Sequence, residues 1–349
     1  MSDEFRELLK KIGSGTHTSK GLTRTEAAQA TEMMLKETAT PAQIGAFMIA
    51  HRIKRPTPEE LAGMLDTYDR LTSKLSTAKL ASLRKPVVFG LPYDGRSRTV
   101  PVTPITVLIL AAADVPIILH GGDRMPTKYG LPLATIWQQL GIDFTQFSLS
   151  QAQAFLEQTG IGFFYLPNHF PLAHNLVPYR EQIGKRPTFA TVELVWSPVI
   201  EPVNLISGFV HPPTEERFVK TFKLRGITDY CTVKGLEGSC DLSCNRTAII
   251  GRANADTGFT RLLINPEEYS LNGKDLAFES TTQSIQELQA IIQGKNTALT
   301  NAAILNGGFY LWHCAICSTI EAGLTLAAEM IDKGTIRDKL KQLKNVNLS

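Results

Sequence analysis

The 349-residue sequence lacks three features: a long apolar run, a large excess of charge of one sign, and an even set of cysteines. No stretch of about 18 uncharged apolar residues occurs, which argues against a membrane-spanning helix. The amino end, MSDEFRELLKKIG, is charged and amphipathic without an apolar signal core, so we expect a cytoplasmic protein without membrane attachment. The net charge is only +3, so composition alone does not indicate nucleic-acid binding.

The five cysteines are an odd number, and we expect reduced thiols rather than a disulfide framework. A zinc site could be assembled from the spacings Cys240-x3-Cys244 and Cys314-x2-Cys317. However, the second pair lies in the apolar stretch FYLWHCAICSTI, where its spacing predicts one buried helix face. We therefore favour structural packing of these thiols, and we expect the three tryptophans to fill the core.

What the sequence does contain is enough apolar material for a sizeable core, with 43% hydrophobic and 20% charged residues. Residues 1–80 show helical spacing of apolar positions. Thr23 and Glu26 fit a capping box, and Pro41 and Pro58 each fit the first turn of a further helix. The sequence thus predicts a small N-terminal helical domain.

From residue 81 onward, short apolar runs alternate with helical patterns, which predicts an α/β domain over residues 81–349. Strands are predicted at 86–89, 115–119, 160–166, 205–210 and 230–234, and helices at 105–114, 133–140, 284–294 and 301–334. Thr103 is the predicted N-cap of the helix at 105–114. Strands joined by helices in this order form a mostly parallel central sheet, whose strand-to-helix loops share one edge.

Two glycine-containing loops, Gly90–Arg98 and His120–Lys128, should therefore converge at the carboxyl edge of that sheet. Backbone N–H groups, a helix N-terminus and basic side chains at this edge favour a phosphate-bearing ligand. The predicted phosphate-binding residues are Gly90, Gly95, Arg96, Arg98, Thr103, His120, Gly121, Gly122, Arg124 and Lys128. The alternatives are an ordinary solvated basic turn for the loops and a hydrogen-bonded structural role for His120.

Three further segments make the chain resemble the anthranilate phosphoribosyltransferase family and, more distantly, the nucleoside phosphorylases. They are TPAQIGAFMIAHRIKRPTPEELAG (40–63), PYREQIGKR (178–186) and the closing elements around NAA (301–303), EAG (321–323) and IDKG (331–334). The resemblance covers almost the whole chain. It implies homodimerisation through the helical domain, packing of a segment at about 168–198 with that domain, and a substrate cleft between the two domains.

The family transfers ribose 5-phosphate from phosphoribosyl pyrophosphate to an aromatic amine with the help of Mg²⁺. By resemblance, Asp94 would orient the donor and Arg180 would pair with an anionic acceptor, as the catalytic candidates. The family's metal-binding Asp-Glu pair falls at Cys240-Asp241, so that Asp241, with Glu237 as a replacement, is the candidate ligand set for Mg²⁺.

The family's G-T-G-G-D-G loop is Gly90-Leu91-Pro92-Tyr93-Asp94-Gly95 in this chain. Proline removes an N–H donor and tyrosine adds a bulky side chain, so the same backbone cradle cannot close on pyrophosphate. Together with the altered metal pair, this predicts that the standard anthranilate reaction is inefficient. A transferase acting on another acceptor is the first hypothesis.

The basic loop Tyr93–Arg98 is also similar to a divergent branch of the family associated with nucleic-acid binding without transferase activity. The second hypothesis is therefore a non-catalytic homodimer that binds single-stranded nucleic acid through Arg96, Arg98, Arg124 and Lys128. Such binding would be strongly salt-dependent. A sensor of small phosphorylated ligands is the third hypothesis.

Overall fold

The computed structural model describes residues 3–15 and 17–348. Within these residues, no helix is both long and apolar enough to cross a membrane. The chain forms a small N-terminal helical domain and a larger α/β domain with a mostly parallel seven-stranded sheet, which confirms the predicted fold class.

The helical domain contains α1 (Asp3–Gly13), α2 (Arg24–Leu35), α3 (Pro41–Lys54) and α4 (Pro58–Leu71). The last three begin with capping boxes, in which a threonine side chain accepts a hydrogen bond from the backbone of the third helical residue. These threonines are Thr23, Thr40 and Thr57. Because Pro41 and Pro58 need no N–H partner, they start α3 and α4 without leaving a donor unsatisfied.

The sheet has the strand order β3-β2-β1-β4-β5-β6-β7. Its strands are β1 (Val87–Gly90), β2 (Ile117–Gly121), β3 (Ile161–Tyr165), β4 (Asn204–Gly208), β5 (Tyr230–Val233), β6 (Ala248–Asn254) and β7 (Gly258–Ile264). The first five strands pair in parallel, whereas β6 and β7 are antiparallel. The sequence did not indicate β6 and β7, because β7 is exposed at nearly every position and shows no clear alternation.

The α/β domain contains twelve helices within the described residues. They are α5 (Thr103–Ala112), α6 (Leu133–Gln139), α7 (Leu149–Thr159), α8 (Leu166–His169), α9 (Pro171–His174), α10 (Val177–Ile183), α11 (Phe189–Val192), α12 (Pro212–Leu224), α13 (Thr281–Ile292), α14 (Thr300–His313), α15 (Ile320–Asp332) and α16 (Thr335–Lys344). The most deeply buried of the longer helices is α5, which packs against α14 and α16.

The sheet separates two hydrophobic cores, because successive strand residues point to opposite faces. In β1, Val87 and Phe89 belong to the core beneath α5 and α14, while Val88 belongs to the core shared with the helical domain. In that second core, Tyr68 of α4 contacts the rings of Phe170, Phe189 and Trp196. Residues 170–196 and the helical domain therefore share one apolar interior.

Three local predictions were wrong. Thr103 is the first residue of α5, not its cap; Val102 holds the cap position, with no side-chain capping bond. Cys314 and Cys317 lie in the turn between α14 and α15 and not on one helix face, because α14 ends at His313. Trp137 and Trp196 are fully buried, whereas Trp312 is only partly buried.

Candidate functional site

Two loops follow adjacent strands and touch each other at the carboxyl edge of the sheet. The first loop (residues 91–102) follows β1, and the second loop (residues 122–132) follows β2. The Gly130 N–H donates to the Asp94 carbonyl at 2.9 Å, and the Leu131 N–H donates to the Arg96 carbonyl at 2.8 Å. A Cβ atom at Gly130 would lie 2.7 Å from the Arg96 backbone, so glycine permits this approach.

Arg96, in the first loop, points into the protein. Its guanidinium donates to the carboxylate of Asp241 and to the hydroxyl of Thr99, and the whole residue is 3% exposed. Asp241 also accepts hydrogen bonds from the Val102 N–H at 3.0 Å and the Thr103 hydroxyl at 2.8 Å. Arg96, Thr103 and Asp241 thus form one buried cluster that joins the start of α5 to the loop after β5.

Glu237, in the loop after β5, binds the backbone of the first loop. Its carboxylate accepts the backbone N–H groups of Ser97, Arg98 and Thr99 at 3.0–3.1 Å. Burial would raise the pKa of Glu237, but these N–H groups and the charges of Lys128 and Arg96 outweigh it and hold the pKa below its usual value.

Lys128, in the second loop, lies close to Glu237 and to the backbone of the first loop. Its Nζ atom lies 3.7 Å from Glu237 Oε2 and 3.4 Å from the Gly95 carbonyl. Burial lowers the pKa of Lys128. Lys128 therefore ties the two loops together.

The carboxylates of Glu237 and Asp241 do not fit a Mg²⁺ ion. Mg²⁺ needs oxygen ligands with free lone pairs in an octahedral arrangement. The Asp241 carboxylate already accepts from Arg96 and the Val102 N–H, and the Glu237 carboxylate accepts from backbone N–H groups, with Arg96 Nε 3.8 Å from Glu237 Oε1. Across residues 3–15 and 17–348, no group of three or more His, Cys, Asp or Glu side chains could hold a metal ion. The Arg96 guanidinium supplies positive charge between the two carboxylates.

Asp94 is fully buried beneath the cleft between the two domains. Arg186 Nε lies 3.0 Å from Asp94 Oδ2, yet neither carboxylate oxygen accepts a well-oriented hydrogen bond from a described residue. The side chain of Arg186 is 30% exposed and reaches solvent beyond Asp94. An unsatisfied buried carboxylate next to a solvent-accessible cation is typical of a functional site.

Arg180 lies in the interior, on α10. Its guanidinium forms an ion pair with Glu193, and Nη1 lies 3.2 Å from the sulfur of Met125. Burial lowers the pKa of Arg180 to about 10, and the nearby charge of Asp94 opposes this shift. The residue that the resemblance assigns to the acceptor is thus paired within the protein and 4% exposed.

His120, the penultimate residue of β2, packs against Tyr93, and both side chains are buried. The Tyr93 hydroxyl is hydrogen-bonded to His120 Nδ1, and the two rings meet edge to face at 5.3 Å. Burial disfavours the imidazolium and lowers the pKa of His120 to about 3. His120 is therefore neutral at physiological pH and fixes the position of Tyr93.

The remaining predicted residues divide into buried glycines and exposed arginines. Gly90 allows the backbone carbonyl of Leu194 to approach, because a Cβ atom there would lie 2.0 Å from that oxygen. Gly95 has a φ of +71°, which glycine adopts without strain. Gly121 and Gly122 are buried at the end of β2, while Arg98 and Arg124 are exposed, with Arg124 Nε bonded to the Tyr129 carbonyl at 2.6 Å.

A cleft of about 930 Å³ lies between the helical domain and the carboxyl edge of the sheet. It is lined by the end of α3 with Arg55 and Pro56, by Pro92 of the first loop, by residues 186–188, 190–191, 194, 209–214 and 217, and by Glu237 and Gly238. We call this space the interdomain cleft. Four arginines line it, namely Arg52, Arg55, Arg186 and Arg217.

Sequence reasoning named none of these four arginines as a site residue. Arg52 Nη1 donates to the Arg186 carbonyl at 2.8 Å and so connects the helical domain to the α/β domain. Burial lowers the pKa of Arg217, and the positive charge of Arg55 lowers it further. The basic run HRIKR at the end of α3 was a visible signal for Arg52 and Arg55, whereas nothing near Arg217 marked it.

Comparisons with known proteins match both the helical domain and the α/β domain. Residues 6–70 match the helical bundle domain of a glycosyl transferase family, and residues 94–337 match its a/b domain. Anthranilate phosphoribosyltransferase of Afipia carboxidovorans is 29% identical over 99% of both chains, and that of Albidiferax ferrireducens is 26% identical over 88% of this chain and 87% of the relative.

Solved structures share the fold. Anthranilate phosphoribosyltransferase from Saccharomyces cerevisiae in complex with PRPP and Mg superposes with a TM-score of 0.81 at 15% identity, covering 99% of this chain and 98% of that one. The enzyme from Thermus thermophilus gives a TM-score of 0.77 at 18% identity, covering 98% of each chain. The chain belongs to this glycosyl transferase family, as a divergent member that resembles anthranilate phosphoribosyltransferase.

Proposed function

We propose that this protein binds a phosphorylated sugar of the phosphoribosyl pyrophosphate type in the interdomain cleft and does not perform the Mg²⁺-assisted transfer to anthranilate. The observation that carries the proposal is the set of four arginines around the cleft, whose one acidic lining residue, Glu237, is already bonded to backbone N–H groups. Guanidinium groups bind phosphate oxygens through paired hydrogen bonds, so these arginines match a pyrophosphate in charge and in hydrogen-bonding chemistry.

Arg186 and Asp94 would act together on such a ligand. A phosphate in the cleft competes with Asp94 for Arg186, because Arg186 lies both on the cleft wall and 3.0 Å from the carboxylate. Asp94, whose oxygens accept no well-oriented hydrogen bond from a described residue, can then accept one from a sugar hydroxyl. In this proposal Asp94 orients the sugar and Arg180 supports the local charge balance from the interior.

The altered first loop explains why the standard transfer is not expected. Pro92 provides no N–H donor, the N–H groups of residues 97–99 are used by Glu237, and Arg96 neutralises Asp241. The cleft arginines and Lys128 would neutralise the negative charge that develops on a leaving pyrophosphate. An acceptor other than anthranilate fits this site better, because Arg180 is paired with Glu193.

Calorimetric titration with phosphoribosyl pyrophosphate tests the proposal. Arg217→Gln and Arg55→Gln should each weaken binding about tenfold or more, since each removes one charge-assisted contact. Arg337→Gln, on α16 outside the cleft lining and paired with Asp338, is the matched control and should leave binding unchanged. Equal affinity in all variants would contradict binding in the interdomain cleft.

A second candidate function is binding of single-stranded nucleic acid, by a homodimer formed through the N-terminal helices. It is favoured by the exposure of Arg98 and Arg124, which lie in the two loops at the carboxyl edge of the sheet. For this function, oligonucleotide affinity should fall steeply with salt and with the double substitution Arg98→Gln/Arg124→Gln. Salt-independent binding, or a monomer by light scattering, would count against this candidate.

A further inference from the structure

A second cavity, of about 600 Å³, lies at the opposite, amino edge of the sheet. It is lined by the beginnings of β1 and β4, by the β6–β7 turn and by the end of α14. We call it the amino-edge cavity. Because the interdomain cleft is at the carboxyl edge, the sheet separates the two spaces.

The guanidinium of Arg252, on β6, is held in place at the wall of this cavity. Its Nε donates to His313 Nδ1 at 3.0 Å, and its guanidinium carbon lies 4.2 Å from the ring centroid of Trp312. The two terminal nitrogens of Arg252 have no acceptor among the described residues and are not sealed from solvent. Stacking and the Nε bond therefore hold the guanidinium in place with its forked end free.

The imidazole of His313 accepts a hydrogen bond from Arg252 and orients it. His313 Nδ1 accepts from the arginine, and Nε2 lies 2.8 Å from Asn204 Nδ2. A neutral imidazole has only one acceptor nitrogen, so the ring proton belongs on Nε2 and the Asn204 amide must turn its oxygen toward that N–H. Burial, and secondarily the charge of Arg252, lower the pKa of His313 to about 3. The imidazole thus remains a neutral acceptor and does not repel the guanidinium.

Further cations surround the same space. Arg84 forms no ion pair with any described residue, and Lys85 pairs with Asp229 at 2.8 Å. Burial raises the pKa of the Cys314 thiol to about 12, and the charges of Arg252 and then Arg84 oppose that rise, which places both cations near this thiol. Three cations and one carboxylate leave the cavity positively charged.

We propose that the amino-edge cavity binds an oxyanion group, a phosphate or a carboxylate, of a small organic ligand. The forked nitrogens of Arg252 would bind two oxygens, Arg84 would add charge, and Val87 and Val115 would cover the organic part. Carboxylates and phosphates share this chemistry. The ligand is distinct from the one in the interdomain cleft, because the two spaces lie on opposite edges of the sheet.

Tryptophan fluorescence tests this site selectively. Trp137 and Trp196 are 0% and 1% exposed, so an anion at Arg252 acts on Trp312. Titration with inorganic phosphate at constant ionic strength should give a saturable emission change that is lost in Trp312→Phe. Arg252→Gln should weaken it about tenfold or more, while Arg217→Gln in the interdomain cleft should retain it. Acetate in a parallel titration distinguishes carboxylate from phosphate selectivity.

Equilibrium dialysis with phosphate is the second measurement, and Arg252→Lys, which keeps the positive charge but loses the paired terminal nitrogens, separates the effect of charge from that of two-point binding. Weaker phosphate retention in Arg252→Gln and Arg252→Lys than in the parent protein supports the site. The proposal is overturned if sodium chloride reproduces the emission change, if that change persists in Arg252→Gln, or if all variants retain phosphate equally.

Discussion

The guanidinium of Arg96 binds the carboxylate of Asp241, 145 positions further along the chain, inside the α/β domain. The two side chains are 4% and 3% exposed. A buried ion pair is stable only when most of its other donors and acceptors are also satisfied. Here Val102 and Thr103 donate to Asp241 and Thr99 accepts from Arg96, while Arg96 Nε faces Glu237 Oε1 at 3.8 Å without a hydrogen bond. This pair fixes the first loop and occupies the place where the resemblance implies a metal ion.

The first prediction concerns that pair. Arg96→Met should lower the free energy of unfolding by about 3–5 kcal/mol, because it leaves the Asp241 charge buried without a cation. The measurement is urea unfolding at pH 7. Arg98→Met, two residues away but exposed, should change stability by no more than about 0.5 kcal/mol. If the two variants are equally stable, the Arg96 side chain is not paired as described.

The second prediction concerns Asp94 and Arg186. Asp94→Asn should strengthen binding of inorganic pyrophosphate several-fold, because it frees Arg186 and removes a negative charge beneath the cleft. Calorimetry measures the affinity. Asp123→Asn makes the same charge change at an exposed position of the second loop and should have little effect. Weaker binding in Asp94→Asn would show that the carboxylate itself serves the anion.

The third prediction is a loss of stability in mild acid from His120 and His313. Burial lowers the pKa of both to about 3, so the unfolded chain binds more protons than the folded protein below pH 6.5. Stability must therefore rise with pH between about 3 and 6.5. Lowering the pH from 6.5 to 5 should cost about 2 kcal/mol for each histidine.

Urea unfolding at several pH values measures this dependence. Above pH 5 most carboxylates remain ionised, so the histidines dominate the change. His120→Gln should remove about half of the loss assigned to the two residues. An unchanged pH dependence in this variant would contradict the neutral, buried state of His120.

The fourth prediction concerns Glu60, the buried acceptor of the helical domain. Its carboxylate accepts from the backbone N–H groups of Leu22 and Thr57 and pairs with Lys54 at 2.8 Å. Burial would raise its pKa, but His51, Lys54 and the Leu22 N–H lower it to about 2. Its stabilising contribution is therefore complete above pH 4.5 and disappears as the pH falls through about 2.

Glu60→Ala should therefore cost about 3–5 kcal/mol at pH 7, because it leaves cations and N–H groups without their acceptor. Glu59→Ala, one residue earlier and exposed, should cost less than about 1 kcal/mol. Thermal unfolding of the two variants measures the difference. Similar melting temperatures would mean that the carboxylate of Glu60 is not the shared acceptor.

Local features of the fold were predictable, whereas long-range pairings were not. The starts of α3 and α4 and the approximate positions of β1–β5 follow from prolines, caps and apolar runs close in the sequence. The role of Thr103 was wrong because its hydroxyl donates to Asp241 instead of capping its own helix. Such a contact depends on packing between segments that are far apart in the sequence.

In the candidate site, too, local features were predictable from the sequence and long-range contacts were not. Sequence reasoning predicted that the two loops meet, because parallel strands place them at one edge, and the structure brings them into contact. It did not predict that Arg96 points inward, since a loop arginine has no local signal for its direction. Arg217 of α12 joins the interdomain cleft only through the tertiary fold, so no spacing in the sequence could indicate it.

The most direct test of the central claim is the affinity for phosphoribosyl pyrophosphate with excess Mg²⁺ and with a chelator. The cleft arginines and Lys128 neutralise the ligand without a metal ion, so the metal-free form should bind at least as tightly as the Mg²⁺ form. Arg217→Gln should weaken both forms. Binding that is tenfold or more tighter with Mg²⁺ would show that a metal ion, rather than Arg96 and the cleft arginines, balances the charge at this site.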